Sequence, residues 1–180
     1  MTQSLTPFLD ALQAGGPAVD RGGNMDLYAW LIGSWELDVT GHLPDGKTRR
    51  RPGEWHFGWV LEGRAIQDVW IVPARGEGRA GDAAHNSNVY GTTLRTYDPR
   101  IDAWHIQWTD PVTQSYFRMI GRAHGPDVVQ LGKTDTGQLL RWSFSEIRPH
   151  SFYWRGELSS DNGVRWHTNV EFSARRRHAA

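Results

Sequence analysis

The spacing of hydrophobic residues changes near residue 33. Before this point the apolar side chains recur at helical spacing, which predicts two short helices, the first opening at Pro7 and the second covering residues 25–32. From Ser34 onward apolar and polar residues alternate, a pattern typical of strands with one buried face. The sequence therefore predicts three parts: an N-terminal helical segment over residues 1–33, a β domain over residues 34–176 and a tail over residues 177–180.

Turn signals divide the β domain into about ten strands, mostly joined by hairpins, with one long loop over residues 74–86. An open sheet of this size would leave two exposed edges, which closure into a barrel removes. We therefore predict an all-β fold, an antiparallel up-and-down barrel of about ten strands whose mouth carries the helical segment. A barrel of this size can hold one small ligand.

Three stretches carry short motifs of turns and aromatic strands. Residues 31–37 read LIGSWEL, residues 57–65 read FGWVLEGRA, and residues 152–166 run from FYW to SSDNGVRW before a final strand. These motifs resemble a bacterial family of calycin-like barrels of unknown function, related to lipocalins and fatty-acid-binding proteins. The resemblance covers residues 25–176 and implies the barrel fold much more than any activity.

The superfamily that this resemblance points to also includes nitrobindin-like heme barrels. Those proteins have a glycine-rich opening around the first strand and a late histidine that binds the iron. Here the first strand, residues 35–41, lacks that glycine pattern, and His167 is the late strand histidine, on the face opposite Trp166 and Val170. We therefore expect no cofactor, with heme as the alternative.

Composition narrows the function classes. The 180 residues fit one domain, and 20 basic and 20 acidic side chains give zero net charge, which argues against nucleic-acid binding and against attraction to anionic membranes. The absence of cysteine excludes disulfides, Cys-ligated zinc and thiol nucleophiles. We see no signal-peptide pattern and no spanning apolar run, so a cytoplasmic protein is expected. The sequence leaves a homodimer open.

Ten tryptophans are more than a barrel core usually needs, and an aromatic wall with a few polar groups is typical of pockets for small apolar or aromatic molecules. A packed core without a ligand is the alternative. The predicted contacts are five tryptophans and three polar residues: Trp55, Trp59, Trp108, Trp142, Trp154, Tyr90, Tyr116 and Arg118.

Two charged residues break the alternation and could lie inside the barrel. Asp68 stands between Ile66 and Trp70, and Arg118 between Tyr116 and Ile120. They could form a buried ion pair, or they could catalyse a cofactor-independent lyase, isomerase or hydrolase reaction in the same cavity, with Asp68 as acid or base and Arg118 stabilising negative charge. We predict a binding protein, with this enzyme as the alternative.

Other chemistry finds less support in the sequence. Histidines on strands lie opposite the aromatic residues, which indicates an outer face rather than a metal site, and we predict no metal. Glu54 and His56 would be an acid/base pair only if the faces were inverted. The sequence contains no nucleophile elbow, P-loop or HExxH motif, and its serines have no recognisable catalytic context.

Overall fold

The computed structural model describes residues 6–76 and 88–177. The chain opens with helix α1 (Thr6–Leu12), strand β1 (Gln13–Ala14), a 3-10 helix (Val19–Met25) and helix α2 (Asp26–Ala29). Ten longer strands follow: β2 (Gly33–His42), β3 (Thr48–Val60), β4 (Ala65–Val72), β5 (Val89–Asp98), β6 (Ala103–Asp110), β7 (Ser115–His124), β8 (Asp127–Lys133), β9 (Leu139–Arg148), β10 (Ser151–Ser159) and β11 (His167–Arg176). Most of the predicted loop, residues 77–86, and the end of the predicted tail, residues 178–180, lie outside the described residues.

The ten strands form a closed barrel. Each strand from β2 to β11 pairs antiparallel with its neighbours in the sequence, and β11 pairs with β2, so the sheet closes on itself. This confirms the predicted all-β, antiparallel up-and-down barrel. The short strand β1 adds to the side of the barrel by pairing with the end of β3, where Gln13 lies opposite Val60.

The N-terminal helices are shorter than the spacing predicts. The second helix was expected over residues 25–32, but α2 ends at Ala29, and Leu31 and Ile32 form tighter turn bonds to carbonyls three residues before them. The chain then enters β2 at Gly33, whose φ of 119° few other residues adopt. The apolar side chains of residues 25–32 are therefore spaced for burial against the barrel, and a turn buries them as well as a helix does.

Helix α2 and the turn after it close one end of the barrel. Tyr28 has no exposed surface and meets Trp104 edge-on, with ring centroids 4.9 Å apart. From the last strand, Arg176 donates hydrogen bonds to the carbonyls of Trp30 and Ile32 and lies 4.2 Å from the centre of the Trp35 ring. Ring contacts and charge-assisted hydrogen bonds together attach this segment to the barrel.

Candidate functional site

The barrel interior is lined by aromatic rings because alternate residues of each strand point inward. The five tryptophans predicted as ligand contacts all lie on this inner surface, and none is more than 9% exposed. Trp70 and Phe172 join them: Trp70 stacks on Trp55 with centroids 5.4 Å apart, and Phe172 stacks on Trp154 at 4.8 Å. Ligand binding by these rings stays a prediction, but their common location is established.

The three predicted polar contacts point outward instead. Tyr90 and Tyr116 are 39% and 48% exposed, and Arg118 is exposed on the same outer face as Tyr116. In β5 the residue after Tyr90, Gly91, points inward, and in β7 the residue after Arg118, Met119, points inward. Because successive residues of a strand point to opposite faces, Tyr90 and Arg118 face the solvent. The expectation that Tyr90, Tyr116 and Arg118 reach the interior of the barrel is therefore wrong.

Asp68 lies inside the barrel as expected, but its partner is not Arg118. The carboxylate forms an ion pair with Arg95 of the neighbouring strand and accepts a hydrogen bond from the backbone N–H of Thr93 at 3.0 Å. Both side chains of the ion pair are completely buried. Arg118 is on the other side of the sheet, so the expected use of Asp68 and Arg118 as one catalytic pair lacks the geometry it needs.

Polar atoms that have no hydrogen-bond partner in the described part of the chain lie among the interior rings. Arg95 uses one nitrogen for Asp68 and leaves Nε and Nη2 unpartnered, and neither polar atom of the Gln130 side chain has a partner. The same is true of five single groups: the hydroxyls of Tyr28 and Thr93 and the indole N–H groups of Trp55, Trp70 and Trp154. Each such group costs roughly 1–3 kcal/mol when no partner reaches it. Native interiors leave few of them, so this concentration requires an explanation.

Most of these unpartnered atoms are donors. An Arg guanidinium and an indole can only donate, and an amide such as that of Gln130 can do both. Burial raises the pKa of the Tyr28 hydroxyl well above its ordinary value, although the charge of Arg95 acts in the opposite direction. Tyr28 is therefore neutral and keeps its hydrogen at physiological pH. The interior as a whole offers hydrogen-bond donors to an acceptor.

Sequence reasoning missed Arg95, Gln130 and Tyr28. In β5 neither face is clearly apolar, since Thr93 and Arg95 point inward and Thr92 points outward. No sequence signal set the register between β4 and β5, which places Thr93 opposite Asp68, because residues 73–88 between the two strands are too many for a tight hairpin turn. Tyr28 lies in the segment predicted as a helix, residues 25–32, whose apolar spacing predicts burial of its ring and gives no information on its hydroxyl.

A second group of polar residues lies on the outer surface, where β2 pairs with β3. His56 Nδ1 lies 2.9 Å from the Ser34 hydroxyl, and His56 Nε2 lies 3.0 Å from Glu54 Oε2. Arg75 binds Glu54 through its backbone N–H and its guanidinium, both at 2.8 Å. Hydrogen bonding from the Arg75 side chain is the main reason why the pKa of Glu54 is lowered to about 2, so Glu54 is ionised.

Within residues 6–76 and 88–177, no histidine is placed to bind a heme iron inside the barrel. Six of the eight histidines lie in the described part of the chain, and none of the six is buried. His167, the residue matched to the heme family, is exposed on the outer face of β11. Within residues 6–76 and 88–177 no group of three or more His, Asp or Glu side chains is arranged to hold a metal ion.

Comparison with known proteins supports the fold and leaves the activity open. No protein-family model matches the sequence, and no curated protein matches it. Among solved structures, Rv2717c from M. tuberculosis superposes with a TM-score of 0.62 at 13% identity, over 86% of this chain and 98% of that one. The S-type phycobiliprotein lyase CPES from Guillardia theta gives 0.56 at 11% identity, over 86% and 93%. At these identities the likeness concerns the fold alone, and it confirms a calycin-like barrel.

No helix in the described part of the chain combines the length and the apolar character that crossing a membrane would require.

Proposed function

We propose that the barrel binds a small molecule with a planar or apolar body and at least one hydrogen-bond acceptor. The observation that carries this proposal is the set of unpartnered, buried donors among the interior tryptophans. An aromatic wall with a few convergent polar groups is the usual composition of a small-molecule site. A bound acceptor would remove the energetic cost of leaving those donors without partners.

Arg95 supports a specific position for the acceptor within this proposal. Its Nη1 faces Asp68, while Nε and Nη2, which form one edge of the guanidinium, have no partner. Two parallel N–H groups on one edge match the two oxygens of a carboxylate. The guanidinium lies 5.9 Å from the centre of the Trp55 ring, so a ligand bound to this edge would also reach the aromatic cluster.

Titration of tryptophan fluorescence tests the proposal directly, because the site is lined with tryptophans. The probes are 2-naphthoate, 2-naphthol, laurate and 2-methylnaphthalene, and calorimetry provides a second readout. We expect saturable binding of 2-naphthoate that is roughly 10- to 100-fold tighter than that of 2-methylnaphthalene, which has no acceptor. No binding of any probe by folded protein would contradict the proposal.

A matched pair of variants locates the binding. Gln130→Met removes both unpartnered atoms at nearly constant length, so we expect weaker binding of 2-naphthoate together with unchanged or higher stability. Tyr116→Phe, on the outer surface, is the control and should bind like the parent protein. Equal affinity in the parent protein and in Gln130→Met would place the ligand elsewhere.

An enzyme that uses the same interior remains the second candidate, since one structural neighbour is described as a phycobiliprotein lyase. Asp68 would have to give up its bonds to Arg95 and Thr93 to act as an acid or base, so we place binding first. The cytoplasmic location, the absence of nucleic-acid and membrane partners, the absence of a cofactor and the open question of a homodimer stay predictions.

A further inference from the structure

The polar row on the outer surface has the connectivity of a hydrolase nucleophile. Ser34 and His56 lie directly opposite each other in the pairing of β2 with β3, and Glu54 is two residues before His56 on the same face. The contacts run from the Ser34 hydroxyl to one imidazole nitrogen at 2.9 Å and from the other nitrogen to Glu54 at 3.0 Å. A serine, a base and a residue that orients the base are the parts that such a nucleophile needs.

The charge on Glu54 decides which way the imidazole is protonated. An ionised carboxylate can only accept hydrogen bonds, so it binds His56 when Nε2 carries the hydrogen. Nδ1 is then the nitrogen with a free lone pair, and it faces the Ser34 hydroxyl. Arg75 holds Glu54 in place, since its Nη2 donates to Glu54 Oε2 at 3.1 Å. The same Nη2 lies 3.3 Å from Nε2, and because a guanidinium can only donate, Nε2 carries its hydrogen only when Nη2 is used on Glu54.

A cleft of about 460 Å³ reaches this row at Glu54, while Ser34 and His56 are outside its lining. Glu54 and Arg75 belong to its lining, and so does Arg177, whose backbone N–H donates to the Ser34 carbonyl at 2.8 Å. His56 is 27% exposed, so a small substrate can approach it from the solvent.

We propose that Ser34 is an activated nucleophile that hydrolyses small activated esters, with His56 as its base and Glu54 as the residue that positions His56. The Ser34 oxygen bonds to the ester carbonyl carbon and its proton moves to Nδ1 of His56. The bond to the leaving alcohol breaks, and that alcohol takes the proton. Water then attacks the acyl group on Ser34, which releases the acid and restores the serine. This site is independent of ligand binding inside the barrel.

A fluorophosphonate probe tests the nucleophile, because it forms a stable bond only with an activated serine. The probe is incubated with the full chain, the adduct is located by mass spectrometry, and turnover is followed with 4-nitrophenyl acetate. We expect one adduct per chain, on Ser34. It should disappear in Ser34→Ala and form at least about 100-fold more slowly in His56→Gln. Glu54→Gln should slow labelling, and Glu54→Asp should restore part of the rate.

Ser173→Ala is the matched control, since this serine lines the same cleft and is not part of the row. It should label and turn over like the parent protein, and circular dichroism establishes that each variant is folded. No adduct on the folded parent protein would overturn the proposal. An adduct that persists in Ser34→Ala, or a rate that does not change in His56→Gln, would also overturn it.

Discussion

Replacing Asp68 by asparagine removes one charge from the buried ion pair and nearly preserves the shape of the side chain. Arg95 would then keep its charge in a site with no exposed surface. The amide of asparagine also cannot supply two acceptor oxygens, so either the Thr93 N–H or Arg95 loses its present partner. Breaking one side of a buried ion pair costs about 3–5 kcal/mol.

This cost is large enough to measure in two independent ways. In a domain of this size, each kcal/mol shifts the melting temperature by about 2–4 °C, so Asp68→Asn should melt roughly 6–20 °C below the parent protein. Urea unfolding followed by circular dichroism should give the same loss of free energy. The control is Asp20→Asn, which breaks an ion pair with Arg64 in which both side chains are largely exposed, and it should cost less than about 1 kcal/mol.

The double variant Asp68→Leu/Arg95→Met separates charge from packing. It removes both charges, so it should be clearly more stable than Asp68→Asn. If Asp68→Asn lost less than about 1 kcal/mol, the ion pair could not lie in a dry interior, and the reasoning would fail. If the double variant were as unstable as the single one, packing rather than an unpaired charge would explain the loss.

Two further predictions concern a pKa and a close contact. Hydrogen bonding from Arg75 lowers the pKa of Glu54 from 4.5 to about 2, so its stabilisation is complete above about pH 4.5 and is lost as the pH falls towards 2. In urea titrations, Glu54→Gln should therefore lose roughly 1–3 kcal/mol less unfolding free energy than the parent protein as the pH falls from 4.5 to 2. The lower part of this range allows for the exposure of Arg75. A methyl group at Gly121 would overlap the Tyr28 hydroxyl, so Gly121→Ala should cost about 1–3 kcal/mol in thermal unfolding, whereas Gly58→Ala, with open space around it, should cost much less.

The sequence was sufficient to predict the barrel because alternation repeats in strand after strand. In β3, Trp55 and Phe57 share one face and Glu54 and His56 share the other, which favours burial of the aromatic face and leaves the inverted orientation as the alternative. Once the strands are antiparallel and joined by hairpins, closure follows from the need to avoid open edges. The tryptophans were assigned to the interior for the same reason.

The polar residues of the interior could not be assigned in this way. Strand β7 carries apolar residues on both faces, with Phe117 and Met119 inside and Tyr116 and Ile120 outside, so alternation does not show which way Arg118 points. Strand β5 has the reverse problem, because both faces contain polar residues. The alternation of residues predicts which face is buried only because burying one face is more favourable in free energy than burying the other. Where the two faces are alike in polarity, this difference disappears and the alternation predicts no orientation.

The outer row of Ser34, His56 and Glu54 differs from the interior because the register between β2 and β3 could have been predicted from the sequence. A turn around Asp45 joins β2 to β3, and Ser34 and His56 are equidistant from Asp45 along the chain. A hairpin turn fixes the register of its two strands, so the turn alone brings the serine opposite the histidine. Glu54 then falls on the same face by alternation. The interior site depends instead on which of two similar faces is buried, and only the packing of all ten strands together decides that.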